Sequence, residues 1–182
     1  MNKINMAIGL FATAIIASQA VSANDDLFNG SFGSLHAGFG VIKYEGSIFS
    51  GPIKESDLSF LAGGALGYRT TVGTDSPLVI GVEADLNYYS AGSDLRYGIS
   101  GLAGFKVSEN SLAYLRVGYG KLARDGEDLD GMVLGGGFEF KLTNDTNMRL
   151  DYKKLNYKDV DFIDNSIRYD GHEISAGMVF SF

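Results

Sequence analysis

The sequence contains no cysteine and no tryptophan, and only two prolines among 182 residues. Without cysteine, neither a disulfide framework nor a thiolate site can form. No apolar run approaches the roughly 20 residues that a membrane-spanning helix requires. Pro52 and Pro77 both lie between strand-like segments, where a missing N–H costs no ladder hydrogen bond. These absences exclude a disulfide-stapled domain and a helical membrane protein.

The first residues predict export. Lys3 precedes an apolar run at residues 6–16, and a stretch of small and polar residues ends in Val21-Ser22-Ala23. This is the pattern of a secretory signal peptide with a small-residue cleavage site. The apolar run, about 11 residues long, is too short for a transmembrane helix. We therefore expect a signal peptide at 1–23, a flexible lead-in at 24–31 and one folded domain at 32–182.

The chain is acidic, with a formal net charge of −7, and it has no basic cluster. An acidic chain of this kind is not expected to bind nucleic acid, because nucleic-acid affinity depends on neutralising phosphates with Lys and Arg. Its 25 glycines and 22 aromatic residues favour a tightly curved β structure. Nothing in the composition indicates a cofactor.

Eight segments alternate apolar and polar residues with the period of two that is typical of strands. They lie at 35–41, 58–69, 78–88, 95–106, 113–120, 134–142, 148–153 and 173–182. Strands of about 9–11 residues can cross a bilayer when tilted. We predict an all-β fold, an eight-stranded antiparallel up-and-down transmembrane barrel with both termini in the periplasm and four outer loops. Small residues on the polar face, aromatics near strand ends and the alternating lengths of the connections favour this over a soluble β-sandwich. The missing tryptophan and the terminal strand that ends in Phe182 disfavour a soluble lipocalin-like barrel.

The connections alternate in length, as they do in outer-membrane barrels, which have short periplasmic turns and longer outer loops. Those at 71–77, 107–111 and 143–146 are short, and those at 45–57, 122–130 and 157–171 are long. The connection at 90–94 is an exception, because it is an outer loop that is short.

Three segments resemble the small outer-membrane barrels of the opacity-type and OmpA-like "porin family". They are Gly-Val-Glu-Ala-Asp-Leu at 81–86, the hairpin from 135 to 152, and the terminal strand at 174–182. The resemblance implies location in the outer membrane, with membrane lipid and lipopolysaccharide as neighbours. It also implies that the barrel-assembly machinery recognises Met178, Phe180 and Phe182. The missing tryptophan and a short second outer loop depart from the family pattern.

Charges of both signs are interleaved on the polar face. In a narrow lumen they would pair, because an unpaired buried charge is very costly. We expect them to form a network that plugs the barrel; a narrow pore that passes small solutes is the alternative. The predicted network comprises Arg69, Glu83, Asp85, Arg96, Arg116, Glu139, Arg149, Asp151 and Glu173.

A catalytic site is a further alternative, since some eight-stranded barrels modify lipid A. Such a site would need a His, a Ser and an acid in contact. His36, Ser175 and Glu173 share the inward face of the first and eighth strands, which meet when a barrel closes. A lumen hydrogen bond is the simpler role for His36. The segment from Asp125 to Asp130 does not fit a calcium-binding EF-hand loop, so no metal site is predicted.

The outer connections carry the net negative charge and a few apolar residues. They suit contact with cations or with a basic host or matrix ligand, and exposed apolar groups add to such contacts. We therefore expect a non-enzymatic surface barrel that contributes to envelope integrity and to adhesion. The contact candidates are Phe49, Asp125, Glu127, Asp128 and Phe162.

Overall fold

A computed structural model of the chain describes residues 28–48, 51–73, 76–91, 94–124, 127–157, 160–162 and 165–182. The predicted signal peptide lies outside this part and stays a prediction. Within it, no helix is long and apolar enough to cross a membrane. The strands are β1 (Gly30–Ile48), β2 (Gly51–Thr71), β3 (Leu78–Tyr89), β4 (Leu95–Ser108), β5 (Ser111–Arg124), β6 (Glu127–Lys141), β7 (Thr146–Tyr157), β8 (Val160–Phe162) and β9 (Asn165–Ser181).

Each long strand pairs antiparallel with the next one along the chain, and β9 returns to β1. The closing ladder runs from the pair Phe32 and Ser181 to the pair Gly46 and Ile167. The short β8 pairs only with β9 and adds a flap outside the closed sheet. The predicted eight-stranded antiparallel barrel is confirmed, and β1–β7 and β9 are its eight strands.

The outer surface of the barrel is apolar. Side chains alternate between the two faces of each strand, so one set points away from the lumen. In water, so large a continuous apolar surface would drive association; facing lipid acyl chains, it is stable. The outward apolar side chains that stay largely exposed include Leu35, Phe39, Leu58, Phe60, Ile80, Val82, Ile99, Phe105, Leu115, Val117, Phe138, Leu150, Ile174 and Met178.

One end of the barrel carries three tight connections, at 72–77, 109–110 and 142–145, together with both ends of the described chain. Gly73 adopts a positive φ of 85° in the first of them, a backbone region that glycine enters without steric cost. The predicted short turns are confirmed. Because such turns face the periplasm in outer-membrane barrels, we call this the turn end and the opposite one the outer end.

The outer end differs from the sequence prediction. The sequence predicts long connections at 45–57, 122–130 and 157–171, whereas the strands continue through most of these residues. The β1–β2 ladder runs to the pair Ile48 and Gly51, and the β5–β6 ladder to the pair Arg124 and Glu127. Outside a bilayer both faces of a hairpin meet water, so the apolar alternation stops although the backbone hydrogen bonds do not.

The start of the domain also differs from the expected flexible lead-in at 24–31. Phe28 is buried, and β1 begins at Gly30 rather than at 32. The aromatic side chain of Phe28 finds an apolar site at the turn end, which orders the chain just before the first strand.

A charge placed on the outward face tests the depth of the barrel in the bilayer. Val117 lies midway along β5, and its side chain is 54% exposed; Val107 lies beside the β4–β5 turn and is 61% exposed. We expect Val117→Arg to destabilise the folded barrel by about 2–4 kcal/mol and Val107→Arg by about 0–1 kcal/mol. Urea unfolding in phospholipid vesicles measures both. Equal costs at the two positions would contradict this placement of the bilayer.

Candidate functional site in the barrel lumen

The inward faces of seven strands bring the predicted charged residues together. Each lies at an alternate position of its strand, so its side chain points into the lumen. All nine are buried, and Arg96 has no exposed surface at all. Lys153 of β7 is a tenth member that the prediction left out, although it follows the same alternation as Arg149 and Asp151.

The half of the network nearer the turn end is an alternating chain of ion pairs. Arg69 donates to Glu139 at 2.7 Å, and Arg149 donates to the other oxygen of Glu139 at 2.6 Å. Arg149 also pairs with Glu83, which accepts from Arg116 at 2.8 Å. Every carboxylate oxygen of Glu83 and Glu139 thus accepts from a guanidinium, the strongest class of protein hydrogen bond.

Aromatic rings cover this half of the network. The guanidinium of Arg69 lies 4.8 Å from the ring centre of Phe32, and that of Arg149 lies 5.2 Å from the same ring. Tyr114 contacts Arg149 at 5.4 Å and Arg116 at 5.6 Å, and its hydroxyl donates to Asp151 at 2.5 Å. These cation–π contacts fill space that water would otherwise occupy and add attraction to each cation.

The half nearer the outer end is centred on Arg96. Its guanidinium donates to Asp85 at 2.6 Å and lies 3.2 Å from Glu173. The ammonium of Lys153 lies 3.9 Å from both of these carboxylates. The hydroxyl of Tyr89 donates to Glu173, so the carboxylate is held from two sides.

The network is electrically balanced. Five buried cations meet five buried carboxylates along the strands, and a further buried carboxylate, Asp94, precedes β4. Desolvating ions costs several kcal/mol each unless partners compensate them. Because cations and carboxylates of the network are equal in number, removing any one charged side chain would leave a partner uncompensated.

Apolar side chains close the lumen above the network, at the outer end. Most of the inward residues there are apolar, and several have almost no exposed surface; the buried Asp94 is the exception among them. A layer that is mostly apolar opposes the passage of water and ions. This outer seal consists of Ile42, Leu61, Tyr89, Leu122, Leu129, Val133, Leu155 and Tyr157.

A second apolar layer closes the turn end. Phe28, Val79, Leu112 and Tyr114 pack together there, with Leu102 against them. We call this the inner seal. The ion pairs therefore lie between two apolar layers, inside a barrel whose outer surface faces lipid.

The alternation of the sequence does not predict the two seals, because it indicates an inward face that is polar throughout. A signal for the outer seal exists at Leu61, Leu122 and Leu155. Each interrupts the alternation by adding an apolar residue at an inward position of its strand. Tyr89 gives the same signal, since it follows the outward Tyr88.

Small residues make room for the long side chains. A Cβ placed on Gly137 would lie 2.7 Å from the hydroxyl of Tyr114, and one on Gly63 would lie 2.6 Å from Oδ1 of Asn87. Both distances are shorter than carbon and oxygen tolerate without a shift of the neighbour. The glycines on the inward face are therefore part of the packing of the network.

The structure does not assemble the His36, Ser175 and Glu173 set. Nε2 of His36 donates to Oδ1 of Asn87 at 2.6 Å, and Asn87 donates to Asp85 at 2.5 Å. Glu173 is engaged by Arg96 and Tyr89. On the β1–β9 ladder, His36 lies opposite Gly177 rather than Ser175. A lumen hydrogen bond, the simpler role predicted for His36, is confirmed.

The outer contact candidates lie largely outside the described part. Phe49 and Asp125 are not described, and for Glu127, Asp128 and Phe162 only the backbone is described, in β6 and β8. Their role in contact stays a prediction. In the described part of the chain, no group of His, Asp and Glu side chains is arranged to hold a metal ion.

The three residues predicted as an assembly signal lie in and just after β9. Met178 points outward and is exposed, Phe180 is half-buried opposite Gly33, and the backbone N–H of Phe182 donates to Ser31 at 3.0 Å. The terminal strand thus forms one side of the β1–β9 closure. Its recognition by assembly machinery stays a prediction.

Removing one lumen carboxylate tests the energetic weight of the network. Glu83→Gln leaves Arg116 and Arg149 without a shared anion, and we expect a loss of about 3–5 kcal/mol in unfolding free energy. The matched control is Asp130→Asn, because Asp130 pairs with Lys121 at 3.4 Å on the partly exposed outer surface. Its expected cost is about 0–1 kcal/mol. Urea titration in vesicles measures both, and equal losses would refute a dominant role for the buried network.

The chain is similar to several solved structures, all at low sequence identity. Neisserial surface protein A is 16% identical, with a TM-score of 0.45 over 81% of this chain and 97% of that one. The attachment invasion locus protein Ail of Yersinia pestis is 16% identical, with a TM-score of 0.41 over 84% and 99%. OprG of Pseudomonas aeruginosa is 13% identical, with a TM-score of 0.41 over 85% and 97%.

No curated protein sequence matches the chain. The sequence model of the outer membrane protein beta-barrel domain family, by contrast, matches residues 8–182, which is nearly the whole chain. This match agrees with the closed sheet, the lipid-facing apolar surface and the polar lumen described above. The chain is therefore a barrel of the outer membrane, and it belongs to the outer membrane protein beta-barrel domain family.

Proposed function

We propose that the protein is a non-conducting, non-enzymatic surface barrel that supports the envelope and presents its outer hairpins for adhesion. One observation carries the first half of this proposal. The lumen charges lie in ion pairs between two apolar seals, and the central Arg96 is fully buried. A pore would instead need an aqueous path lined by solvated charges.

The sequence also allows a narrow porin. The geometry of the lumen gives less support to that alternative. An ion would have to separate Arg96 from Asp85 and Glu173, and then displace Leu61 and Leu122 from the outer seal. Breaking buried pairs of this kind costs several kcal/mol for each pair. The lumen therefore suits a structural plug that holds the strands in one register.

The outer hairpins support the second half of the proposal. From the exposed Phe39 and Phe60 to the pair Ile48 and Gly51, the β1–β2 ladder extends by about nine residues, roughly 30 Å along the strand. Both strands are hydrogen-bonded along this length, so the hairpin tips are held on a stiff support. The outer connections at 45–57, 122–130 and 157–171 carry 11 acidic residues and four basic ones, which favours a basic partner surface.

Conductance measurements in a planar bilayer distinguish a plugged barrel from an open pore. We expect purified, refolded protein to give no conductance steps after insertion, because the described lumen residues form ion pairs between two apolar layers. Protection of the strands from protease and a mobility shift on heating verify that the protein has inserted. Reproducible steps whose size changes in Glu139→Gln would overturn the proposal in favour of a charge-lined pore.

Adhesion is tested by neutralising one hairpin tip while keeping its length. The test variant combines Asp125→Asn, Glu127→Gln and Asp128→Asn in cells that display the barrel. We expect it to lower attachment to immobilised basic matrix proteins at least about fivefold, because each carboxylate speeds association with a basic surface and stabilises the complex. The control neutralises Glu109 and Asp145 at the turn end. Unchanged attachment with a folded barrel would exclude this tip as the contact.

A further inference from the structure

Four basic side chains lie at one level of the outward surface, and we call them the collar. Asp130 lies opposite one of them, Lys121, and Asp170 opposite another, Lys43. Lys43, Lys121, Lys154 and His172 occupy outward positions of their strands, next in line beyond the apolar or aromatic residues Val41, Tyr119, Tyr152 and Ile174. They therefore lie where the apolar surface ends toward the outer side. Long lysine side chains at such a boundary rest their methylene groups on apolar surface and extend the ammonium group to the polar layer.

Three of these residues are neighbours across β7, β9 and β1. His172 lies directly opposite Lys154 on the β7–β9 ladder. It lies opposite Val41 on the β1–β9 ladder, which places Lys43 on the adjacent diagonal. Directly opposed residues have Cβ atoms about 4.5–5.5 Å apart and diagonal ones about 7–8 Å. His172 is thus flanked by a lysine on each side.

The orientation of the histidine ring is fixed by a further contact. The hydroxyl of Tyr152 lies 2.8 Å from Nδ1 of His172, and the two rings stack with centroids 6.1 Å apart. When the hydroxyl donates to Nδ1, the proton of the ring lies on Nε2, which can donate to a second group. Lys43 and Lys154 make no ion pair in the described part of the chain, although Asp170 lies across the ladder from Lys43.

We propose that Lys43, Lys154, His172 and Tyr152 form a binding site for a phosphate group of an outer-leaflet glycolipid. Adjacent cations that form no ion pair, at the level of the headgroups, suit a doubly charged anion attached to acyl chains. The acyl chains would lie on the exposed apolar residues below, among them Phe39 and Ile174. A soluble anion would gain nothing from that apolar surface.

Native mass spectrometry of the refolded barrel in detergent micelles tests the site by counting bound lipid molecules. The probes are bisphosphorylated lipid A and the same lipid with both phosphates removed. We expect the phosphorylated form to bind more tightly. Lys154→Gln should weaken binding about fivefold, and Lys154→Gln combined with Lys43→Gln about 25-fold, as expected for about 1 kcal/mol per lysine.

Lys141→Gln is the matched control, because Lys141 is exposed at the turn end and the charge change is the same. It should leave binding unchanged. Equal binding of the two lipids, or equal losses at Lys141 and Lys154, would overturn the site. Displacement of the lipid by an equal concentration of inorganic phosphate would overturn it too, in favour of a soluble anion. Bilayer conductance does not depend on this site, so its failure would leave the proposed function untouched.

Discussion

The ladder between β1 and β9 is the constraint on which the rest of the structure depends. Inside a bilayer no water is available for unpaired backbone N–H and C=O groups, so a sheet must close on itself. Closure at eight strands fixes a narrow lumen that side chains just fill. The outward face must then suit lipid and the inward face must pack without voids, and both requirements follow from a single ring of hydrogen bonds.

A narrow lumen could in principle be packed with apolar side chains, yet this one holds the ten charges of the network. The polarity of the inward face distinguishes it from the lipid face. If both faces were apolar, a slip of one residue in register would exchange them at little cost. With arginines and carboxylates inside, the same slip would expose charge to lipid. The ion pairs therefore stabilise one register in addition to filling space, and the apolar seals keep their surroundings dry enough for the pairs to be strong.

The fold and the membership of the charge network could be predicted because alternation is a local property of the sequence. Glu83 and Arg116, for example, occupy polar positions in strands whose other face is apolar. Their partners could not be predicted, since the contact of Arg149 with Glu83 depends on strand tilt and register across the lumen. The seals were missed because Leu61 and Leu122 resemble their lipid-facing neighbours. The hairpin extensions were missed because hydrogen-bonded strands in water need no alternation.

The outward surface changes in chemistry along the barrel axis, from an apolar belt to a basic collar and then to acidic hairpins. The same hydrogen-bonded strands extend through all three levels. The apolar belt is matched to acyl chains, and the collar of Lys43, Lys121, Lys154 and His172 follows where that belt ends. Beyond the collar most of the charged residues of the hairpins are acidic. An acidic surface directly at the phosphates would be repelled by them, so a basic collar between the two allows acidic hairpins to rise from an anionic membrane surface. The sign of charge at each level thus follows from the neighbour at that level.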